Sequence, residues 1–314
     1  MRHAFRSSGH AYRSCVAKHM RTLKNQVAII TGAGKGLGRA YALDMALRGA
    51  AVVVNNRRHP GETDEETSAW STVECIRAAG GQAIASYHSV EDPEAGNAIV
   101  QLALKTFGRL DIIVTNAAVP QASAFHQTSP EDFRYIFEVG FFGTLHLLHA
   151  AWPILRQRRY GRIITTTSSA GRYGQHGLSA YGAAKAAVEN LTRTLAAEGA
   201  RHSIKVNAIS PYAYSQMTAS HMRDDIAALF TAEHVAPMVA WLASEACTLN
   251  GAIISAGAGR YRRAYCVETT SIAATPAELP EAVRRLASAP ATAFSTSNAA
   301  FDALLVDAGL APRR

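Results

Sequence analysis

The stretch VAIITGAGKGLGRAYALDMALRGAAVVVNN, residues 27–56, sets the pattern for most of the chain. Its first and last runs, VAIIT (27–31) and AVVVN (51–55), are rich in β-branched residues and predict two strands. Four closely spaced glycines predict a tight turn after the first strand, and the segment between the strands is long enough for a helix. The stretch therefore predicts the order strand, turn, helix, strand.

The same alternation continues along the chain. Further β-branched runs lie at AIASY (83–87), DIIVT (111–115), RIITTT (162–167), IKVNAI (204–209) and AIISA (252–256). Near-continuous apolar strands that are separated by crossover-length segments predict a parallel sheet buried on both faces, with right-handed connections. The expected fold class is α/β, a doubly wound Rossmann fold of about seven parallel strands with helices on both faces.

Composition divides the 314 residues into three predicted segments. Residues 1–22 form a basic leader without acidic residues, which fits a disordered segment ahead of Met20 or an organelle transit peptide; we favour the disordered leader. Residues 23–260 form the Rossmann domain. Residues 261–314, rich in Ala, Ser, Thr and Pro, are expected to form an appendage with one or two short helices and no strand, packed on the domain or on a neighbouring subunit, or a disordered tail.

Charge and cysteine content exclude several classes of protein. The net charge is +8, but residues 1–24 carry six Lys and Arg, so the remainder is nearly neutral and no basic stripe argues for a nucleic-acid partner. No apolar run reaches the roughly 18–20 residues of a membrane-spanning helix. The four cysteines lack metal-ligand spacing, which predicts no metal site and fits a reducing, cytoplasmic location.

The glycine-rich turn predicts a dinucleotide site, because glycines let the backbone approach a pyrophosphate at a helix N-terminus. The turn does not satisfy GxGxxG, and its spacing matches TGxxxGxG instead, with Thr31, Gly32, Gly36 and Gly38. Four further motifs follow in order. They are TNAA (115–118), Ser168 thirteen residues before Tyr181, YGAAK (181–185) and NAISP (207–211). Together these motifs resemble the short-chain dehydrogenase/reductase family over about residues 27–260.

Tyr181 and Lys185 lie four residues apart, so on a helix they share one face, and the cation is expected to lower the pKa of the phenol. The resemblance implies that Tyr181 exchanges a proton with the substrate oxygen, that Ser168 hydrogen-bonds this oxygen, and that Lys185 also holds the nicotinamide ribose. The resemblance also implies a set of cofactor-binding residues. They are Thr31, Gly32, Lys35, Gly36, Leu37, Gly38, Asn56, Arg57, Asn116, Ala117, Tyr181, Lys185, Pro211, Ser215 and Thr218.

Two departures from the family pattern bear on activity, and the residues around the end of the second strand bear on the choice of cofactor. Gly140 stands where the family usually has an asparagine that organises a water relay, and Ala118 replaces a glycine. The second strand ends at Asn56 instead of an acidic residue, and Arg57, Arg58 and Lys35 add positive charge nearby. NADP(H) is therefore favoured over NAD(H), because arginine can bind a 2′-phosphate; the alternative is that these cations are solvated loop residues.

The segment PYAYSQMT (211–218) resembles the dehydrogenase part of peroxisomal multifunctional β-oxidation enzymes. This resemblance implies a 3-hydroxyacyl-CoA or hydroxysteroid type of substrate, with residues 212–230 over it, lined by Tyr212, Tyr214, Met217 and Met222. A β-ketoacyl carrier-protein reductase and a non-catalytic dinucleotide-binding scaffold are the alternatives. The family pairs subunits through the tyrosine helix and the helix before it, which implies a homodimer or homotetramer.

Overall fold

A central sheet of eight strands organises the larger part of the chain. The structure, a computed structural model, describes residues 22–119, 121–214 and 223–312. The strands of this sheet, in chain order, are β1 (Val27–Thr31), β2 (Ala51–Asn55), β3 (Gln82–Ser86), β4 (Ile112–Thr115), β5 (Gly161–Thr166), β6 (Ile204–Pro211), β7 (Ile253–Gly257) and β8 (Arg260–Ala264). Their spatial order is β3-β2-β1-β4-β5-β6-β7-β8.

Strands β1 to β7 pair in parallel. Ile29 of β1 pairs with Val53 of β2 on one side and with Ile113 of β4 on the other. The order of the strands therefore reverses at β1, and a crevice opens at the carboxyl ends of β1 and β4. This is where open α/β sheets bind their ligands.

Helices cover both faces of the sheet. In the described part of residues 22–262 the α-helices are α1 (Gly36–Leu47), α2 (Ser68–Ala78), α3 (Ala95–Phe107), α4 (Pro130–Phe137), α5 (Gly143–Arg158), α6 (Ser169–Tyr173), α7 (Ser179–Gly199), α8 (Asp224–Leu229) and α9 (Ala236–Ala243). A π-helical turn, Glu138–Phe142, joins α4 to α5.

Successive strand residues point to opposite faces of the sheet and build two separate cores. Ile30 belongs to the core beneath α1, α2 and α9, whereas Ile29 belongs to the core beneath α3, α5 and α7. Each strand therefore needs apolar residues on both faces. The predicted α/β doubly wound fold is confirmed, and all seven predicted strands are present with boundaries that move by two residues at most.

The prediction of no strand after residue 260 is wrong. Ala258 and Gly259 have left-handed backbones, with φ of +50° and +67°, and turn the chain directly from β7 into β8. A two-residue connection is too short for the crossover that a parallel neighbour requires. The side chains of β8 are mostly exposed and include three arginines, so the strand lacks the apolar pattern that revealed the other seven.

The chain divides into two compact units, Met1–Arg262 and Arg263–Arg314, and the boundary falls within β8. The second unit contains an antiparallel pair, β9 (Val267–Thr269) with β10 (Ala291–Ala293), and the helices α10 (Leu279–Leu286) and α11 (Ser297–Asp307). Among its described residues, Ala282 is the one apolar side chain that is buried.

Some predicted positions lie outside the described residues. They are leader residues 1–21 and the loop residues Ser215, Met217, Thr218 and Met222. Within the part of the chain that is described, no helix is long and apolar enough to cross a membrane.

Candidate active site

The turn between β1 and α1 leaves space for a ligand where its glycines lack side chains. Gly36, the first residue of α1, has a left-handed φ of +53°, and a Cβ built on it would meet no atom within 4 Å. At Gly38 the reason for glycine is different, because a Cβ there would lie 2.2 Å from the carbonyl oxygen of Gly32. The turn is therefore closed on its inner side and open toward the cleft.

The N-terminus of α1 supplies hydrogen-bond donors to this open space. Lys35 is the N-cap residue, but its side chain makes no capping hydrogen bond, and the first turn of α1 has no acidic residue. The first N–H groups of a helix have no partner within the helix, and they form the positive end of its dipole. A pyrophosphate group fits this combination of free donors and missing side chains.

Thr31 and Asn116 connect the ends of β1 and β4. Thr31 Oγ1 accepts hydrogen bonds from the backbone N–H groups of Asn116, at 3.0 Å, and Ala117, at 3.2 Å. Asn116 Nδ2 donates to the carbonyl oxygens of Thr31, at 3.1 Å, and Gly32, at 3.2 Å. These bonds fix the width of the crevice where the strand order reverses.

One continuous cleft, of about 510 Å³, runs from the glycine-rich turn to the Tyr181–Lys185 pair. Its volume is within the range of small-molecule sites. The cleft is lined by Gly32, Lys35, Gly36, Leu37, Asn55, Asn56, Arg57, His59, His88, Ser89, Val90, Glu91, Asn116, Ala117, Ala118, Val119, Val139, Thr166, Thr167, Ser168, Tyr181, Lys185 and Pro211.

The cleft brings together most of the residues that the sequence predicted. Thr31 and Gly38 are buried next to the cleft and are not part of its wall. The sequence reasoning did not identify the wall residues that follow the third strand, Ser89, Val90 and Glu91. Their position directly after a buried parallel strand was the available signal, since ligands bind at the carboxyl ends of such strands.

Ser168 and Tyr181 line the same cleft although twelve residues separate them in the sequence. Ser168 follows β5 and is the N-cap of α6, where its Oγ accepts a hydrogen bond from the N–H of Ala170 at 3.2 Å. Burial raises the pKa of Tyr181 above its ordinary value, and a side-chain hydrogen bond with Ser168 lowers it by less. The phenol is therefore protonated at neutral pH and is positioned beside the serine hydroxyl.

Lys185 is buried one helical turn after Tyr181, with 2% of its surface exposed. Its Nζ donates a hydrogen bond to the carbonyl oxygen of Thr166 at 2.9 Å and lies 5.8 Å from the centroid of the Tyr181 ring. Burial lowers the pKa of Lys185 to about 8. The pKa of Tyr181 is therefore raised overall and not lowered, because burial outweighs the hydrogen bond with Ser168; a stabilising effect of Lys185 on the phenolate stays a prediction.

Gly140 lies in the π-helical turn, next to the helix that carries Tyr181 and Lys185. A Cβ built on Gly140 would meet only the Cβ of Ala184, at 3.6 Å, which is an ordinary van der Waals contact. The backbone therefore has room for the first atom of a side chain at this position.

Of the two arginines that follow β2, only one lines the cleft. Arg57 lines the cleft, where its Nη1 donates to the hydroxyl of Tyr135 at 3.0 Å and lies 3.7 Å from a carboxylate oxygen of Glu91. Arg58 pairs with Asp64 instead, and its guanidinium stacks on Tyr87. Arg58 is therefore not part of the cleft wall, and a contribution of its charge to the cofactor site stays a prediction.

Asn56 and Lys35 are both part of the cleft wall. Asn56 Nδ2 donates a hydrogen bond to Ser68 Oγ at 3.1 Å, and Lys35 is exposed. The end of β2 therefore presents an amide in the same cleft wall as Lys35 and Arg57, at the place where an acidic residue would favour NAD.

Comparison with known proteins gives matches that extend over most of the chain. The short chain dehydrogenase family model matches residues 26–227. The peroxisomal multifunctional enzyme type 2 of Mus musculus is 42% identical over 236 residues, which are 74% of this chain and 32% of that protein. This chain therefore spans about a third of that relative's length.

Two mycobacterial proteins are similar over most of their own length. A short-chain type dehydrogenase/reductase of Mycobacterium tuberculosis is 39% identical over 246 residues, which are 77% of this chain and 85% of that protein. The crystal structure of a short chain dehydrogenase from Mycobacterium avium superimposes with a TM-score of 0.77 at 35% identity, covering 86% of this chain and 97% of the other.

The matches, together with the confirmed fold, identify the family of the chain and its type of reaction. Proteins of this family bind NAD(P) and act on CH–OH groups. The chain is an NAD(P)-binding oxidoreductase and belongs to the short-chain dehydrogenase/reductase family.

Proposed function

We propose that the protein interconverts a secondary alcohol and a ketone on a 3-hydroxyacyl-CoA or hydroxysteroid-like substrate. The observation that carries the proposal is the cleft that holds Ser168 and Tyr181 together with the glycine-rich turn, with Lys185 buried beside the Tyr181 ring. The similarity to a peroxisomal multifunctional enzyme and the PYAYSQMT motif support the acyl-CoA or steroid class.

The chain's own residues provide the proton chemistry. In ketone reduction, Ser168 donates a hydrogen bond to the carbonyl oxygen and Tyr181 transfers its phenolic proton to that oxygen as the alcohol forms. The nicotinamide dinucleotide supplies the hydride in this direction and accepts it in the other. Lys185, with a pKa of about 8, is mostly an ammonium at pH 7 and stabilises the phenolate that Tyr181 becomes.

The residues at the dinucleotide end fit an anionic cofactor. Gly36 leaves open space at the N-terminus of α1, and we assign the pyrophosphate to this position. Lys35 and Arg57 line the cleft beside Asn56, where no carboxylate would repel a 2′-phosphate. These contacts favour NADP(H) over NAD(H). Glu91 opposes the preference, because it lies 3.7 Å from Arg57 and offsets part of its charge.

The experiment is a panel of cofactors and substrates on the full chain. Fluorescence titration with NADPH and NADH gives the two dissociation constants. Turnover is then measured on 3-hydroxyacyl-CoA thioesters, hydroxysteroids and acyl-carrier-protein thioesters. Carrier-protein thioesters as the best substrates would replace the proposed substrate class with a β-ketoacyl reductase activity.

The control for this panel is Tyr181→Phe, which keeps the ring and removes the acidic proton. The variant should bind NADPH like the parent and lose turnover by at least about 100-fold, because general acid/base groups contribute factors of this size. A parent that binds cofactor but turns over no substrate, with Tyr181→Phe indistinguishable from it, would contradict the proposal and favour the scaffold alternative.

A homodimer or homotetramer stays a prediction, and light scattering coupled to size-exclusion chromatography tests it. The cytoplasmic location also stays a prediction; imaging of the full chain fused at its C-terminus to a fluorescent protein tests it and leaves residues 1–21 free.

A further inference from the structure

A buried carboxylate lies one helical turn beyond Lys185. Glu189 of α7 has 6% of its side chain exposed. Its Oε2 accepts a hydrogen bond from Arg172 Nη2 at 2.9 Å, and its Oε1 accepts one from Arg193 Nη2 at 2.7 Å. Thr167 Oγ1 lies 3.4 Å from the same carboxylate. A carboxylate this deeply buried is costly to the fold unless such hydrogen-bond partners surround it.

The two arginines reach the carboxylate from different elements. Arg193 is in α7, four residues after Glu189, so this pair lies within one helix. Arg172 is in α6, the short helix whose N-cap is Ser168. Arg172 uses both Nε and Nη2 on Glu189, at 3.3 and 2.9 Å, which is a bidentate pair. The Arg172 pair therefore connects α6 to α7, whereas the Arg193 pair does not.

Helices α6 and α7 also touch backbone to backbone. A Cβ on Gly171 of α6 would lie 2.7 Å from the N atom of Ala186, and a Cβ on Gly182 of α7 would lie 2.9 Å from the carbonyl oxygen of Ala170. The connection between the helices, residues 174–178, begins with a glycine of left-handed backbone. Ser168 also follows β5 closely, and the preceding Thr167 donates a hydrogen bond from its Oγ1 to the carbonyl oxygen of Lys185 at 2.9 Å. The contact between α6 and α7 therefore acts together with this bond, and not with the chain between the helices, to place Ser168 relative to the tyrosine helix.

We infer that Arg172 is a positioning residue whose ion pair with Glu189 holds α6 against α7 and so keeps the Ser168 hydroxyl against Tyr181. Arg172 is not part of the cleft wall and acts through Ser168. The expected effect on turnover rests on the proposed function, in which the serine hydroxyl hydrogen-bonds the substrate oxygen. A displacement of about 1 Å in such a group costs as much as 100-fold in rate.

The test compares Arg172→Met with Arg193→Met, because each variant removes one arginine from the same carboxylate. We expect Arg172→Met to lower kcat about 10- to 100-fold, with the NADPH dissociation constant unchanged. Arg193→Met should retain most of the parent kcat, since the connection between helices survives. Arg172→Lys keeps the charge without the bidentate geometry, should give an intermediate kcat, and replaces Arg172→Met if that variant does not fold.

A double-mutant cycle separates positioning from general stability. In a Ser168→Ala background, Arg172→Met should change kcat little further, because the residue acts through the missing hydroxyl. Equal kcat for Arg172→Met and Arg193→Met, or full additivity with Ser168→Ala, would overturn the inference.

Hydrogen exchange followed by mass spectrometry gives a readout that needs no substrate. The amides of residues 169–173 should exchange faster in Arg172→Met than in Arg193→Met, and equal exchange would overturn the inference. If no substrate in the panel turns over, the proposed function fails while this measurement still decides whether Arg172 holds α6.

Discussion

Burial acts in opposite senses on the pKa values of the two ionisable groups at the catalytic end of the cleft. It raises the pKa of Tyr181 and lowers that of Lys185 to about 8. Both shifts favour the neutral form of the group. A phenol that holds its proton can deliver it to a ketone. The ammonium form of Lys185 at pH 7, by contrast, has lost its contact with water, and its hydrogen bond to the carbonyl oxygen of Thr166 offsets part of this cost.

The charge on Lys185 is therefore expected to reduce the stability of the fold. The pKa is about 8 in the folded chain and 10.5 ordinarily, so between these values the unfolded chain holds a proton that the folded chain has released. Parent stability should rise with pH through this window. At pH 7 the free energy of unfolding of Lys185→Met should be about 2 kcal/mol higher than that of the parent, after allowance for one lost hydrogen bond. This advantage should disappear and then reverse before pH 10.5, because the parent gains about 3 kcal/mol through the window.

Urea unfolding of both proteins at pH 7 and pH 10 measures this difference. Lys105→Met is the matched control, because Lys105 is exposed on α3 and its loss should leave the pH dependence unchanged. A Lys185→Met variant that is less stable than the parent at pH 7 would show that the buried ammonium stabilises the fold.

Asn56 is the residue at which we expect cofactor preference to be decided. Asn56→Asp changes the shape of the side chain little but introduces a carboxylate into the cleft wall that Lys35 and Arg57 also line. The carboxylate should repel a 2′-phosphate and accept hydrogen bonds from a ribose. We expect the dissociation constant for NADPH to rise on the order of 10-fold, about 1.4 kcal/mol, and that for NADH to fall.

Paired fluorescence titrations with NADPH and NADH measure the shift. Asn97→Asp adds the same charge at an exposed position of α3 outside the cleft wall and should change neither constant. If Asn56→Asp raises the dissociation constants for NADPH and NADH by the same factor, Asn56 does not discriminate between the two cofactors.

At the scale of elements, the sequence predicted those parts of the fold in which a segment's own residues determine its structure. Strands such as β1 and β2 are buried throughout and apolar on both faces, so each could be recognised without its neighbours. Strand β8 could not, because it is held at the sheet edge by its position after a tight turn and exposes charged side chains. The motif order likewise predicted that Ser168 and Tyr181 would meet.

The contacts that determine the direction of charged side chains could not be predicted in this way. Arg57 and Arg58 are neighbours in the sequence, yet one lines the cleft with Tyr135 and the other turns to Asp64. The ion pair between Arg172 and Glu189 could not be predicted for the same reason, because its partners are 17 residues apart and on different helices. Such pairs depend on how elements pack, which a single sequence does not reveal.

The π-helical turn allows a test of the missing asparagine. The backbone of Gly140 is not left-handed, and an added Cβ has room beside Ala184. We expect Gly140→Ala to stabilise the protein by up to about 1 kcal/mol, since glycine is unfavourable in helices. Gly140→Asn should increase kcat, because the family resemblance implies that an asparagine here organises the proton relay to Lys185.

Thermal unfolding and steady-state kinetics check the two effects. Gly143→Ala is the contrasting variant in the same segment, because its Cβ would lie 2.7 Å from Val90 Cγ2 and should cost about 1–3 kcal/mol. If Gly140→Asn leaves kcat at the level of Gly140→Ala, the proton route does not depend on this position.

At the scale of the whole molecule, one end of the sheet forms the cleft and the other end contributes to stability. The carboxyl ends of the strands carry the cleft, whereas the amino ends are tied together by Asp111, which is fully buried. Its Oδ2 accepts hydrogen bonds from the N–H of Val27, at 2.9 Å, and from Arg109 Nε, at 2.8 Å. Arg158, the last residue of α5, reaches the other oxygen at 3.4 Å. One carboxylate thus connects the starts of β1 and β4 with the end of a helix.

Because Asp111 is remote from the cleft, its loss should affect stability and not chemistry. Asp111→Ala leaves the buried N–H of Val27 without its acceptor and two partly exposed arginines without their shared partner, which should lower the free energy of unfolding by about 1–3 kcal/mol. The kcat and the NADPH dissociation constant of the folded fraction, measured well below the unfolding temperature, should match the parent. Glu131→Ala removes the carboxylate of an exposed pair with Arg134 and should leave stability unchanged. An Asp111→Ala variant of parental stability, or one that stays folded but loses turnover, would show that the two ends of the sheet are not separated in this way.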